Sequence, residues 1–159
     1  MSSVHHSDRS VALRPAVGGD FEQVMGLLGA ADLPAAGVPA SLADFFVAED
    51  RSQIVGAIGI ERYGQAALLR SAVVAPVARG TGVGAALVRR LLGHARECGV
   101  VELYLLTTTA EQYFPRFGFV QIARAEVPDG VRGSVEFREA CPASAVVMCR
   151  MLDPEEVQR

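Results

Sequence analysis

Three alternate glycines, Gly80, Gly82 and Gly84, follow Arg79 where an apolar stretch stops at Pro76 and a helical pattern begins. Glycine has no Cβ, so the chain can turn tightly there and backbone amides can approach an oxyanion closely. The N-terminus of a helix adds unpaired N–H groups and a partial positive charge, and Arg79 adds a full positive charge. Together these features predict a local binding site for a pyrophosphate group.

The glycine-rich loop is also compatible with a dinucleotide site or with no ligand at all. The spacing Gly80-x-Gly82-x-x-Ala85, with Glu102 about 20 residues further on, fits a loose dinucleotide-binding fingerprint. In that fold the loop follows the first strand and the acidic residue ends the second, whereas several strand patterns precede Gly80 and Glu102 begins its strand. The lysine of a Walker P-loop is missing. A flexible strand-to-helix turn without a ligand is the simplest alternative.

Hydrophobic periodicity indicates the elements that position this loop. Strand patterns cover 11–14, 45–48, 53–60, 66–74, 101–106, 119–123 and 145–152. One helical pattern begins after Asp20, a candidate N-cap, and two more cover 83–95 and 110–117. The segment 131–141 is expected to be a loop with a turn of helix at most. Three successive strands, followed by alternating helices and strands, predict an α/β fold with a mixed, mainly antiparallel sheet flanked by helices.

Length and composition limit the domain organisation and the classes of partner. The 159 residues, half of them hydrophobic, suit one domain, which we expect over 10–153 between a disordered tail at 1–9 and a tail at 154–159. A net charge of −3, from 15 basic and 18 acidic residues, gives no global cationic field for nucleic acid or an anionic membrane. The polar start lacks the apolar core of a signal peptide, so we expect a cytoplasmic protein.

The three cysteines, Cys98, Cys141 and Cys149, are odd in number and include no C-x-x-C pair. This pattern predicts neither a disulfide framework nor a zinc ribbon. Cys98 follows a helix end and Cys149 lies in an apolar strand, so we expect buried, unreactive thiols. His5 and His6 lie in the tail and are expected to be solvated. We therefore expect no metal site.

The segment Arg79-x-x-Gly82-x-Gly84 resembles the Q/R-x-x-G-x-G/A acyl-CoA loop of the GNAT acetyltransferase superfamily. The stretch 68–76 is similar to the fourth strand of that superfamily with its proline stop, and 110–119 is similar to its later short helix and closing Gly-Phe. The resemblance covers about two-thirds of the chain. It implies a single-domain GNAT-like sheet that is splayed between strands 4 and 5, with acetyl-CoA bound in the gap.

The sequence is also similar to the branch of this superfamily named for bacterial arsenic-resistance operons. That likeness rests on Leu68-Leu69-Arg70-Ser71, Tyr104-Leu105-Leu106-Thr107-Thr108-Thr109-Ala110-Glu111 and Cys141-Pro142-Ala143-Ser144-Ala145. The segment from Ser134 to Met148 resembles amino-acid N-acetyltransferases such as those acting on glutamate. These resemblances imply an N-acetyltransferase for a small, amino-acid-like amine, with arsenic-containing or toxic analogues among the candidates.

The resemblance also implies roles for individual residues. The pantetheine arm of acetyl-CoA would pair with the backbone of Val73 and Val74, and a backbone N–H near Val73 would polarise the acetyl carbonyl. The pyrophosphate would be held by Arg79, Gly80, Thr81, Gly82, Val83 and Gly84. A neutral amine would attack directly in a ternary complex, without a metal or a covalent intermediate.

Two catalytic positions depart from the family pattern. Phe114 stands where many members carry the tyrosine that protonates the departing thiolate. The adjacent Tyr113 is the candidate acid, but one helical step is about 100° of rotation and Pro115 distorts the turn, so solvent is the alternative donor. Leu68 stands where some members carry a glutamate base. Glu61, at the end of the preceding strand, is the candidate base through an ordered water, and a merely solvated carboxylate is the alternative.

Arg70 is the candidate residue for substrate binding. It points to the same face as Leu68, and its planar fork suits a carboxylate, although a structural ion pair with Glu61 or another acidic side chain is equally compatible with the sequence. We favour acetylation of a small-molecule amine over two alternatives, acetylation of protein lysines or N-termini and non-catalytic acyl-CoA sensing. We expect neither nucleic acid nor membrane as a partner, and we leave a homodimer open.

Overall fold

The computed structural model describes residues 11–140 and 144–153. Its strands are β1 (Val11–Pro15), β2 (Phe45–Asp50), β3 (Gln53–Tyr63), β4 (Ala66–Val74), β5 (Glu102–Thr107), β6 (Val120–Ile122) and β7 (Val146–Met151). Its α-helices are α1 (Phe21–Ala30), α2 (Val83–Glu97) and the short α3 (Asp129–Arg132). None of the helices in these residues has the length and hydrophobicity to cross a membrane. The tails expected at 1–9 and 154–159 lie outside the described residues, so the domain bounds stay a prediction.

The seven strands form one sheet in the order β1-β2-β3-β4-β5-β7-β6. Every neighbouring pair is antiparallel except β4 and β5, which are parallel. Leu69 of β4 belongs to the apolar cluster beneath α2, whereas Leu68 faces a cluster that includes Val131 of α3. Because side chains alternate along a strand, α2 covers one face, and α1 and α3 cover the other. The predicted mixed α/β fold is confirmed.

A β-bulge interrupts the middle of β4. Gly59 pairs with Arg70 but Ala57 pairs with Val73, so β4 carries one residue more than β3 over this interval. Ser71, inside the bulge, has a φ of 61°, in the left-handed region. The extra residue places the side chains of Arg70 and Val73 on the same face, although they are three positions apart.

The predicted elements differ from the structure mainly at their ends. The strand at 66–74 has the predicted bounds, whereas β2 and β3 continue to Asp50 and Tyr63. The helix predicted at 110–117 is wrong, because a turn there leads into a 3-10 helix, Phe114–Phe117, and Pro115 lacks the N–H that an α-helix needs. The segment 131–141, expected to be a loop, contains the end of α3 and a π-helical segment, Glu136–Ala140.

Asp20 precedes α1, but its carboxylate does not cap that helix as predicted. Arg14 donates two hydrogen bonds to it, both at 2.9 Å, and the backbone N–H of Val17 donates a third at 2.9 Å. The bonds from Arg14 hold the pKa of Asp20 below its usual range, against the opposing effect of burial. These contacts attach β1 to the start of α1.

Candidate active site

Strands β4 and β5 diverge in the middle of the sheet. They pair over only three positions, from Ala66 opposite Glu102 to Leu68 opposite Tyr104, although β4 continues to Val74. A cavity of about 700 Å³ opens in the gap, within the size range of small-molecule sites. Its walls include residues from 69–74, 105–110, the first half of α2 and the loop at 31–34. The predicted splay between strands 4 and 5 is confirmed.

The glycine-rich loop lies at one end of this cavity. Gly80 and Gly82 have φ values of 80° and 88°, left-handed conformations that a side chain would strain. A Cβ at either glycine would meet no atom within 4 Å, so the space beside the loop is open. Gly82 is the N-cap of α2, so the first-turn amides point out of the helix at this end. The Thr81 hydroxyl donates to the carbonyl of Ala78 and closes the turn.

The surroundings of the loop suit a pyrophosphate, and the position of Glu102 argues against the dinucleotide alternative. Arg79 lines the cavity and donates from Nε to the carbonyl of Val74 at 3.2 Å, which brings its charge beside α2. Glu102, the candidate ribose ligand, instead accepts a hydrogen bond from Tyr104 at 2.8 Å and pairs with Ala66 at the far end of β4. At about 3.3 Å per residue, the Ala66 end of β4 lies about 26 Å from Val74, the end that leads into the loop. A nucleotide with its phosphates at the loop is too short to reach Glu102.

The exposed edge of β4 offers backbone groups to a ligand in the cavity. Ala75 N–H donates to the carbonyl of Val55 at 2.7 Å, and the register pairs Ala57 with Val73. Hydrogen-bonded pairs alternate along antiparallel strands, so the backbone of Val73 faces β3 and that of Val74 faces the gap. Val73 and Val74 are the two residues expected from the sequence to pair with the pantetheine arm. Of these two, Val74 presents its amide to the cavity.

Tyr113 and Phe114 both line the cavity from the turn after β5. Phe114 is buried and packs edge-on against Phe119, with ring centroids 5.6 Å apart. Tyr113 packs against Phe117 at 5.3 Å, and its hydroxyl points toward the first turn of α2. A Cβ at Gly84 would lie 3.3 Å from that oxygen, so glycine leaves room for it. Phe114, which stands where many family members carry a tyrosine, has no hydroxyl. The phenolic hydroxyl beside the loop is therefore that of Tyr113.

Arg70, further along β4, is fully buried and surrounded by acceptors. Its Nη1 donates to Glu61 Oε2 at 2.6 Å, its Nη2 to the carbonyl of Pro34 at 3.2 Å, and its Nε to Ser71 Oγ at 3.1 Å. The Tyr63 hydroxyl donates to the other oxygen of Glu61 at 2.5 Å. Burial and this bond raise the pKa of Tyr63 to about 12, so the hydroxyl stays protonated. The ion pair considered for Arg70 and Glu61 is present in the structure.

Sequence reasoning missed Glu136 as a site residue. Its buried carboxylate lies 3.7 Å from Arg70 Nε and lines the cavity, whereas Glu61 is absent from the described lining. A glutamate between the apolar residues Val135 and Phe137 was the only signal for it. The left-handed Ser71 was also missed, because nothing in the sequence marks a bulge there.

The described cysteines do not form a thiolate site together. Cys149 is buried in the cluster that contains Leu68, while Cys98 packs against the cluster on the opposite face of the sheet. Burial raises the pKa of the Cys149 thiol, as expected for an unreactive core cysteine. Cys98 is only half-buried, so the expectation of burial was wrong there. Cys141 lies outside the described residues.

Comparison with known proteins identifies the class to which this fold and loop belong. The family model described as acetyltransferase (GNAT) domain matches residues 41–121. This span contains β2 to β5, the glycine-rich loop and the turn with Tyr113. The chain therefore belongs to the GNAT acetyltransferase family.

Particular relatives share parts of the chain. An amino-acid acetyltransferase of Ralstonia nicotianae is 33% identical over 96 residues, covering 57% of this chain and 21% of that protein. An uncharacterised N-acetyltransferase of Chlorobaculum tepidum is 33% identical over 89 residues, covering 55% of this chain and 57% of that protein. The chain thus spans about a fifth of the length of the first of these curated relatives and just over half of the length of the second.

A solved structure shares the fold over most of the chain. It is N-acetylglutamate synthase from Neisseria gonorrhoeae, complexed with coenzyme A and N-acetyl-glutamate. The TM-score is 0.78 at 20% identity, and the match covers 91% of this chain and 35% of the synthase. At this identity the likeness shows a common fold.

Proposed function

We propose that this protein is an acetyl-CoA-dependent N-acetyltransferase that acts on a small amine. The observation that carries the proposal is a single cavity whose lining runs from Arg79 and Gly84, along β4, to Arg70 and Glu136. When bound, acetyl-CoA supplies an acetyl thioester that is already activated toward an amine. The cavity offers an anion-binding loop at one end and buried charges at the other, as such a two-substrate reaction requires.

The loop end of the cavity would hold the nucleotide part of acetyl-CoA. The first-turn amides of α2 and the charge of Arg79 favour the pyrophosphate, and Gly80 and Gly82 leave it room. Thr81, Val83 and Gly84 complete this loop. The backbone of Val73 and Val74 would accompany the pantetheine arm as an added strand, with the Val74 amide facing it.

We propose two candidate proton donors to the departing thiolate, Tyr113 and solvent. The Tyr113 hydroxyl lies beside the first turn of α2, and Tyr113 is the only tyrosine in the cavity wall as far as the described residues extend. Phe114 has no proton to give.

Formal charges at the acceptor end favour an amine. Arg70 contributes +1, and Glu61 and Glu136 contribute −1 each, so the three groups sum to −1. A negative cluster attracts an ammonium group and can accept its proton before attack. We propose that one of these carboxylates is the base, either Glu61, as expected from the sequence, or Glu136, whose place in the cavity wall supports it.

Two isosteric variants distinguish the candidate bases. Loss of the base should lower kcat by about 10²–10⁴, with the largest deficit at the pH where the wild type is fastest. If Glu61 is the base, Glu61→Gln shows this loss and Glu136→Gln changes kcat by less than about tenfold. The reverse pattern assigns the role to Glu136. Small effects in both variants would contradict a side-chain base.

We further propose that the acceptor is amino-acid-like and that Arg70 helps to bind its carboxylate. Arg70 lines the cavity, and each of its two terminal nitrogens carries a second N–H besides the one donated to Glu61 or to Pro34, so an acceptor carboxylate can bind there. Arg70→Lys should cost about 1.5–3 kcal/mol in kcat/KM for the acid and much less for its amide. Equal losses for both acceptors would leave Arg70 a structural role only.

Single-turnover release of the CoA thiol tests the proposed function directly. The amine panel should contain glutamate, glutamine, their esters, an arsenic-containing amino-acid analogue and a lysine peptide. We expect rapid release with at least one small amino acid and slow release with the peptide. Release with the peptide alone would favour a protein acetyltransferase. No release with any amine, although acetyl-CoA raises the melting temperature, would indicate an acyl-CoA sensor.

A further inference from the structure

A second cluster of chemistry-bearing side chains lies outside the cavity, at the C-terminal end of α2. His94 and Cys98 are four residues apart and share one side of the helix end, and Asp44 reaches them from the segment before β2. Asp44 Oδ1 lies 2.9 Å from His94 Nε2, and Cys98 Sγ lies 3.5 Å from the same nitrogen. The three ligand atoms all lie within 4.8 Å of one another.

Hydrogen bonding explains this convergence only in part. A neutral imidazole nitrogen carries either one proton or one lone pair. If Nε2 of His94 directs its proton at Asp44, that proton is not directed at the sulfur of Cys98. All three atoms can donate an electron pair, so a single cation between them would satisfy all three at once.

The sulfur–nitrogen distance matches that of a tetrahedral site, whereas the nitrogen–oxygen distance is shorter and would lengthen when an ion entered. With Zn–S of about 2.3 Å and Zn–N of about 2.0 Å, tetrahedral geometry places sulfur and nitrogen about 3.5 Å apart, and nitrogen and oxygen about 3.3 Å apart. The corresponding distances here are 3.5 Å and 2.9 Å. We propose that Asp44, His94 and Cys98 bind a Zn²⁺ ion, with a fourth ligand from solvent. Imidazole, thiolate and carboxylate are all ligands that bind this ion in proteins.

Neighbouring residues support the three ligands from outside. Arg62 Nε donates to Asp44 Oδ2 at 3.0 Å, which leaves Oδ1 directed at His94. The ring of Phe46 packs edge-on against the imidazole at 5.0 Å and limits its rotation. A separate cavity of about 430 Å³ is lined by Asp44 and His94 and gives an ion and its water ligand access.

The proposed site lies apart from the catalytic cavity. His94 is ten residues after Gly84, so about 15 Å of helix separates it from the glycine-rich loop. The ion would link the end of α2 to the segment that enters β2, which predicts a structural effect. Zn²⁺ should therefore raise the melting temperature without being needed for acetyl transfer.

Titration of the full chain with Co²⁺, after removal of bound metals with a chelator, tests the proposal. A thiolate ligand gives a near-ultraviolet sulfur-to-cobalt charge-transfer band, and Zn²⁺ should displace the cobalt at a 1:1 ratio. We expect this band in the wild type and in Cys149→Ser, the matched control for the buried thiol. Cys98→Ser should abolish the band, and His94→Gln should weaken metal binding at least about tenfold.

A variant with His5 and His6 both changed to glutamine controls for metal bound by the tail, and it should retain the band. Melting temperatures in chelator show whether each variant folds. If Cys98→Ser fails to fold, the affinities of His94→Gln and Asp44→Asn decide the matter. A cobalt spectrum unchanged by Cys98→Ser, unchanged affinity in the other two variants, or no 1:1 binding would overturn the proposal and leave an ordinary ion pair.

Discussion

Replacing Arg70 by alanine should destabilise the fold far more than removing an exposed arginine. The change takes away the counter-ion of Glu61 and Glu136 and the donor to the Pro34 carbonyl. Breaking a buried ion pair by removing one partner costs about 3–5 kcal/mol. The Glu61 side chain is 18% exposed and keeps the bond from Tyr63, so we expect the lower end of that range, about 3 kcal/mol.

Urea unfolding followed by circular dichroism measures this loss. For a chain of this length, about 3 kcal/mol corresponds to a fall in Tm of about 6–12 °C. The matched control is Arg132→Ala, because Arg132 pairs at 2.7 Å with an Asp129 side chain that is 93% exposed. Exposed pairs contribute little, so this control should change the stability by less than about 1 kcal/mol.

A double-mutant cycle shows whether the loss of stability in Arg70→Ala arises from the Glu61 carboxylate, which has lost its counter-ion. Adding Glu61→Gln to Arg70→Ala removes the charge that has lost its partner, so the double variant should be more stable than the sum of the single losses. We expect a coupling energy of about 1–3 kcal/mol. A loss below about 1 kcal/mol in Arg70→Ala, or additivity within about 0.5 kcal/mol, would refute the argument from burial.

Three further predictions concern the loop, the acid and pH. In Gly82→Asp, acetyl-CoA should no longer raise the melting temperature, because a carboxylate enters the anion site, and calorimetric titration should show no binding. Tyr113→Phe should lower kcat by at most about tenfold if solvent can replace the hydroxyl, as measured by thiol release. The native pKa of Asp20 lies below its unfolded value, so its pair with Arg14 stabilises the fold above about pH 5 and is lost as the pH falls through the native pKa. Acid unfolding of Asp20→Asn should therefore be less steep.

Controls separate each of these effects from general damage. Gly82→Asn has the same shape as the aspartate without the charge, and it should retain weakened acetyl-CoA binding. NAD should not raise the melting temperature of the wild type; if it did and acetyl-CoA did not, the interpretation of the loop would fail. A loss of kcat of about 10² in Tyr113→Phe at an unaltered Tm would instead make the tyrosine the acid. Parallel acid-unfolding curves for Asp20→Asn and wild type would contradict the role of the pair with Arg14.

The sequence alone determined the features that depend on local chemistry. Alternate glycines after Pro76 predicted a tight loop before α2, because glycine accepts the left-handed backbone found at Gly80 and Gly82 more readily than other residues do. Apolar periodicity predicted α2 and the bounds of β4, since burial on one face imposes a repeat that is visible in the chain. Family resemblance then gave the splayed sheet before its strand pairing was known.

Only the tertiary structure decided which distant side chains meet. Arg70 and Glu61 are nine residues apart, but Glu136 joins them from a segment that the sequence suggested was a loop. The bulge at Ser71 places Val73 on the same face as Arg70, and no residue type marks a bulge in advance. Strand register and helix packing depend on the free energy of the whole core, whereas periodicity reports only which face of one element is buried. The contacts that distinguish a base, a counter-ion or a metal ligand are therefore fixed by packing between elements.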